Sequence, residues 1–167
     1  MKKFIVLAFL NLLFCSAWGQ TAAAYYNRGL DKHNLGDYRG AIADYNKAIE
    51  LNPRHIDAYV NRGAAKQSLV DYRGAIADYS KAIELNPADS GAYFQRGNAK
   101  KDLEDYRGAI ADYSKAIELN PTDSDAFFNR AVAKAILGDI NGACLDWSKA
   151  GELGDGDAYS AIKKYCN

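Results

Sequence analysis

Between Asp37 and Pro53 the apolar and small residues fall at Ala41, Ile42, Tyr45, Ala48 and Ile49, while Arg39, Lys47 and Glu50 take the opposite side. Steps of three and four residues put the first set on one stripe of an α-helix. Asp37 stands before that stripe as an N-cap. Asn52-Pro53 ends it, because proline has no amide hydrogen and clashes with the preceding turn. Upstream, the segment from Ala22 to Asn34 carries Tyr25, Arg28, Gly29 and Lys32 at the same spacing until Gly36-Asp37 interrupts it. The pattern predicts two antiparallel helices joined by a tight turn.

This hairpin recurs. DYRGAIADYSKAIELNP runs from Asp71 to Pro87 and again, unchanged, from Asp105 to Pro121; from Asp37 to Pro53 only Asn46 differs, in place of Ser80, and an altered version starts at Asp139 as DINGACLDWSKAGEL. The four aspartates are thirty-four residues apart. A period of that size signals a solenoid, in which each unit buries its apolar face only by stacking on its neighbours. Helix pairs are expected over 56–85 and 90–119, and a last helix from about Asp157 to Tyr165 after Gly151, Gly154 and Gly156. Gly29, Gly63, Gly97 and Ala131 on the first helices are expected to face Ala41, Ala75, Ala109 and Ala143 on the second. A mid-helix glycine costs about 1 kcal/mol relative to alanine, so close packing must offset it.

Each of Arg28, Arg62, Arg96 and Arg130 precedes an aspartate, Asp44, Asp78, Asp112 and Asp146, by sixteen residues. That spacing puts the partners on facing helices of one hairpin or of adjacent hairpins. It predicts a recurring ladder of partly buried ion pairs, because a planar guanidinium can meet a carboxylate at two points.

Residues 1–19 read as a cleavable signal peptide: Lys2 and Lys3, an eleven-residue apolar run from Phe4 to Phe14 with one Asn, and small residues at Ala17 and Gly19 before a cut ahead of Gln20. The run is too short to span a bilayer as a helix. An N-terminal anchor and a lipid on Cys15 are the alternatives. No transmembrane span is expected in the mature chain, whose destination is periplasmic or extracellular. Export would place Cys144 and Cys166 where disulfides persist. They lie ten residues before and twelve after Gly154, so antiparallel helices meeting there bring them alongside each other, and a disulfide is expected; two independent thiols are the alternative.

With 167 residues, 49% of them hydrophobic, the chain can bury a core. Removing Lys2 and Lys3 with the leader leaves 19 basic against 21 acidic residues, a net charge of −2, which argues against broad capture of nucleic acid. Catalytic groups are not evident. His33 and His55 are the only histidines and read as solvated surface, with no second ligand at metal-binding spacing. Asp155-Gly156-Asp157 lacks the later ligands and closing glutamate of a calcium loop. No enzymatic activity, metal or other cofactor is expected.

The period, the hairpin and the pattern of Tyr25, Gly29, Ala41, Tyr45, Ala48 and Pro53, repeated at steps of thirty-four, resemble the tetratricopeptide repeat family. The resemblance spans 22 to about 155, with units 22–55, 56–89, 90–123 and 124–155 and a C-terminal capping helix over 156–167. Arg28 and its equivalents stand where the family usually has leucine, Lys32, Lys66, Lys100 and Lys134 where it often has tyrosine, and the fourth unit has Trp147 and no proline. The resemblance implies an all-α, right-handed superhelical solenoid of four antiparallel hairpins plus the cap. Its first helices would line a concave groove that binds a protein partner or extended peptide. The implied groove rows are Tyr26, Val60, Phe94 and Phe128; Asn27, Asn61, Gln95 and Asn129; and Leu30, Ala64, Asn98 and Val132. A clamp for terminal carboxylates is not expected, since only Asn61 fits one, and Tyr26, Leu30, Gly91 and Gln95 stand where basic and amide groups would be needed. The function implied is a non-enzymatic, exported interaction scaffold; a structural cell-envelope role without a specific ligand is the alternative, and the oligomeric state is left open.

Overall fold

The computed structural model describes residues 21–166; the expected leader, its cleavage site before Gln20 and Cys15 lie outside them. Among the described residues the regular elements are nine α-helices: α1 Ala22–Asn34, α2 Tyr38–Leu51, α3 Ile56–Ser68, α4 Tyr72–Leu85, α5 Ser90–Asp102, α6 Tyr106–Leu119, α7 Ser124–Ile136, α8 Ile140–Glu152 and α9 Gly156–Tyr165. They form four hairpins stacked in order, each second helix packing on the next first helix, with α9 against α8. The chain is an all-α solenoid.

Local chemistry sets the ends of these helices. Asp37, Asp71, Asp105 and Asp139 each accept the amide of the glycine three residues on, Gly40, Gly74, Gly108 and Gly142. This satisfies one of the orphan donors of a first turn. At the far end of the second helices, Asn52, Asn86 and Asn120 leave helical geometry. Their side-chain oxygens then accept the amides of Arg54, Ala88 and Thr122 across the proline. That Asx turn redirects the chain into the next first helix. Within each hairpin the connection passes through the left-handed region, at Gly36 and Gly138 but also at Val70 (φ 64°) and Glu104 (φ 63°).

Between the helices, Tyr45, Tyr79 and Tyr113 are fully buried. They, not the alanines, explain the glycines: a Cβ on Gly29, Gly63 or Gly97 would come within 2.6, 2.9 or 2.7 Å of the facing tyrosine ring. The expected glycine-to-alanine facing is corrected accordingly. Ala41, Ala75 and Ala109 are buried as well, but the ring fills the gap nearest each glycine. Adjacent hairpins meet along an alanine seam. Ala65 packs with Ala41 and Tyr45 of the preceding unit, and Ala99 with Ala75 and Tyr79. Side chains this small let successive hairpins come close enough to share the tyrosine.

The last unit ends differently. Gly154, at φ 99°, turns the chain into α9, whose Ala158, Ala161 and Ile162 cover Trp147 and Ala143. Tyr165 stacks on Trp147 with ring centroids 5.6 Å apart. Cys144 and Cys166 have their Cα atoms 5.8 Å apart, with the two sulfurs paired. Among the described residues no helix is long and apolar enough to cross a membrane.

Candidate functional site

Two side-chain systems repeat along the solenoid, one between the helices of each hairpin and one along the wall of first helices. In the first, Arg62 Nε and Nη2 donate to the two carboxylate oxygens of Asp78 at 2.9 and 2.5 Å. Arg96 meets Asp112 and Arg130 meets Asp146 in the same two-point way, at 2.7 to 2.9 Å. Arg28 pairs Asp44 likewise. The partners therefore sit within one hairpin.

Each carboxylate also takes a lysine one turn further along the first helix: Lys32, Lys66, Lys100 and Lys134 reach Asp44, Asp78, Asp112 and Asp146 at 2.7 to 2.8 Å. The remaining guanidinium nitrogen crosses to the hairpin before. Arg62 Nη1 donates to Asn46, Arg96 to Ser80 and Arg130 to Ser114. The aromatic ring one turn earlier, Tyr25, Tyr59, Tyr93 or Phe127, lies under each guanidinium, 4.9 to 5.5 Å away. Replacing the leucine and tyrosine usual in such hairpins by arginine and lysine thus gives a paired polar layer, not a broken core. The aspartates are buried, and the hydrogen bond from Arg28 lowers Asp44 to about 2, with Lys32 adding to the effect against the opposing cost of burial.

The second system is the wall made by α1, α3, α5 and α7, which touch in sequence. Of the expected rows, Tyr26, Val60, Phe94 and Phe128 are half-buried, as are Leu30, Ala64, Asn98 and Val132. Tyr26 and Phe94 lean on the buried Tyr45 and Tyr113, each with centroids 5.9 Å apart. Three amides of these rows are hydrogen-bonded to neighbouring groups. Asn61 Nδ2 donates to the Tyr26 hydroxyl and to the Asp57 carbonyl. Asn98 accepts the Tyr113 hydroxyl at 2.8 Å. Asn129 donates to the Asp125 carbonyl and accepts Lys101 Nζ at 2.8 Å. Asn27 is exposed and Gln95 half-buried.

Gln67, Lys101, Asp102, Asp57 and Asp125 belong to this wall but were not in the expected rows. Gln67 accepts the Tyr79 hydroxyl and donates to Asp102 at 2.7 Å. The signal was available: Gln67, Lys101 and Asp102 lie three or four residues beyond Ala64 and Asn98, one turn further along the same stripe. Burial first, and the Asp57 charge second, raise the Tyr26 hydroxyl above its ordinary pKa. Burial, with Asp102 next, raises Tyr113. The two histidines are half-buried: His55 lies 4.7 Å from the Tyr26 ring and His33 5.1 Å from Tyr38. Among the described residues no group of three or more His, Cys, Asp or Glu is placed to hold a metal ion.

The sequence profile described as tetratricopeptide repeat matches residues 22–55, 56–89 and 90–123, and a second profile of that description matches 113–144. The chain belongs to the tetratricopeptide repeat family. No protein of curated function matches it by sequence. Among solved structures, this tetratricopeptide repeat chain is similar to a crystal structure of MamA (25% identity, TM-score 0.81, covering 86% of this chain and 80% of that one). It is also similar to MamA 41-end from Desulfovibrio magneticus RS-1 (26%, 0.75, covering 79% and 75%). A third is the first tetratricopeptide repeat domain of Spaghetti (RPAP3) bound to the HSP90 peptide SRMEEVD (28%, 0.69, covering 71% and 94%).

Proposed function

We propose that the protein is an exported, non-enzymatic scaffold that binds an extended peptide or a partner protein along the wall of first helices. One observation carries this reading. Tyr26, Val60, Phe94 and Phe128 form a half-exposed apolar row, one residue per unit, that no helix among the described residues covers completely. A row spaced by one repeat suits a chain lying across the first helices, with its apolar side chains over successive members of the row. The Spaghetti (RPAP3) domain, similar over most of its length, is bound to the HSP90 peptide SRMEEVD. The amides bonded within the wall stiffen it, so a partner meets preset donors and acceptors and less freedom is lost on binding.

Export rests on the leader-like residues 1–19, and the placement of Cys144 beside Cys166 is compatible with an oxidising compartment. Affinity capture with the mature chain tests the scaffold. One saturable partner should be retained by the native protein and lost when Phe94 and Phe128 are both changed to alanine; equal recovery by both proteins would defeat the reading. Mass measurement of exported protein should find Gln20 at the amino terminus, and an intact Met1 or a lipidated Cys15 would defeat the export part.

A further inference from the structure

Along the wall of first helices, acidic groups outnumber basic ones on the stripe that carries the apolar row. There the first unit places Ala23 and His33, the second Asp57 and Gln67, the third Gly91, Lys101 and Asp102, and the fourth Asp125 and Ala135. Asp57, Asp102 and Asp125 are all exposed. Among the described residues none of the three is ion-paired: Asp102 accepts only the Gln67 amide, and at Asp57 and Asp125 the main-chain carbonyl alone is engaged, by Asn61 and Asn129. Most neighbouring cations are already committed, although Arg54, three residues before Asp57, is exposed and is in no ion pair among the described residues. Lys66, Lys100 and Lys134, with Arg62, Arg96 and Arg130, are held inside the hairpins by the ladder aspartates. Lys101 is tied to the Asn129 oxygen.

Resting on the groove reading above, we propose that the occupant of this wall is a basic extended peptide, with lysine or arginine side chains directed at Asp57, Asp102 and Asp125 and apolar side chains over Val60, Phe94 and Phe128. The stems of such side chains lie well on an apolar row while their charged ends reach the carboxylates at its margins. An acidic segment would meet three carboxylates that no side-chain cation pairs, against Lys101 and the exposed Arg54 as the nearby cations outside the ladder, so like charge disfavours it. The preference is thus opposite to the acidic HSP90 peptide SRMEEVD held by the Spaghetti (RPAP3) domain.

The test uses a short fluorescent peptide repeating Lys-Leu-Ser, its counterparts with glutamate or serine in place of each lysine, and the full mature protein, read by fluorescence anisotropy. The basic peptide should bind saturably, at least about ten-fold more tightly than the glutamate peptide, and should weaken as salt is raised. Asp57→Asn combined with Asp125→Asn should cost about ten-fold, while Glu84→Gln with Glu118→Gln on the second helices should cost nothing. Glutamate or serine peptides binding as well as the basic one, with Phe94→Ala still abolishing binding, would overturn the basic occupant and leave the groove standing. Binding of all three peptides that ignores both Phe94→Ala and the aspartate changes would overturn both readings. Absence of saturable binding by the basic peptide overturns the inference, and the serine peptide then reports separately on the groove.

Discussion

A Cβ on Gly63 would lie 2.9 Å from the Tyr79 ring, which is fully buried and walled in by Ala75 and Ala99. Gly63→Ala gains about 1 kcal/mol of helix propensity and meets an overpacking cost of about 1 to 3 kcal/mol, so the net expectation is a modest loss of stability in denaturant melts. Any gain in stability would show that the ring moves aside freely. At the same register the fourth unit carries Ala131 opposite Trp147, so an alanine is accommodated only where the facing ring differs. Arg62 and Asp78 have side chains 17% and 5% exposed, so this pair belongs with buried pairs, not surface ones. Arg62→Ala should cost about 3 kcal/mol, because it leaves Asp78 with Lys66 alone, and a double-mutant cycle with Asp78→Ala should return a coupling above about 1 kcal/mol. A coupling of only a few tenths would reduce the ladder to solvated charge. The Arg28 side chain is 45% exposed, so the same cycle there should give a smaller coupling.

For the elements, the turns of the hairpins differ in a way their helices do not. Gly36 and Gly138 take the left-handed backbone without a steric cost, whereas Val70 occupies it at φ 64° with a branched Cβ. Val70→Gly should therefore stabilise the second hairpin by about 1 kcal/mol, measured as a higher denaturation midpoint; an unchanged or lower midpoint would contradict the account. The last helix has a different vulnerability. α9 has ten residues, packs on one side only and leaves Tyr159 65% exposed. A Cys144–Cys166 bond would close a loop of 22 residues, worth about 3 kcal/mol by the chain-entropy estimate. Reduction should fray α9 and lift Tyr165 from Trp147, the one tryptophan left after the leader is removed, so its fluorescence reports the change. Two titratable thiols in unreduced mature protein would rule the bond out.

At the scale of the molecule, neighbouring units meet through nearly the same surfaces: Ala65 and Ala99 dock alike, and Arg96 reaches Ser80 as Arg130 reaches Ser114. Removing residues 56–89 would join the first unit to the third through an interface of the same kind. The shortened chain should stay helical and unfold cooperatively at a lower temperature, since stability in such arrays is a sum of unit and neighbour terms. Circular dichroism decides this, and loss of cooperative unfolding would mean that the units are not interchangeable.

Most of the fold was legible in the residues because its causes are local. The caps at Asp37 and its repeats, the Asn-Pro ends and the three- and four-residue stripes act within a turn or two of helix. The sixteen-residue spacing from arginine to aspartate spans one hairpin, so its pairing was accessible too, although whether it closed within or between hairpins was not. The candidate site was less legible. Which atom fills the space beside Gly63, where the third guanidinium nitrogen of Arg62 goes, and which partners Asn61, Asn98 and Asn129 take all depend on how the two helices of a hairpin pack and how one hairpin sits against the next. Sequence by itself determined the helices and the thirty-four-residue period. Tertiary structure decided that each arginine meets its aspartate within one hairpin and which partners the amides of the first helices take, because those depend on close packing of alanine and tyrosine within and between units and on no property of any single segment.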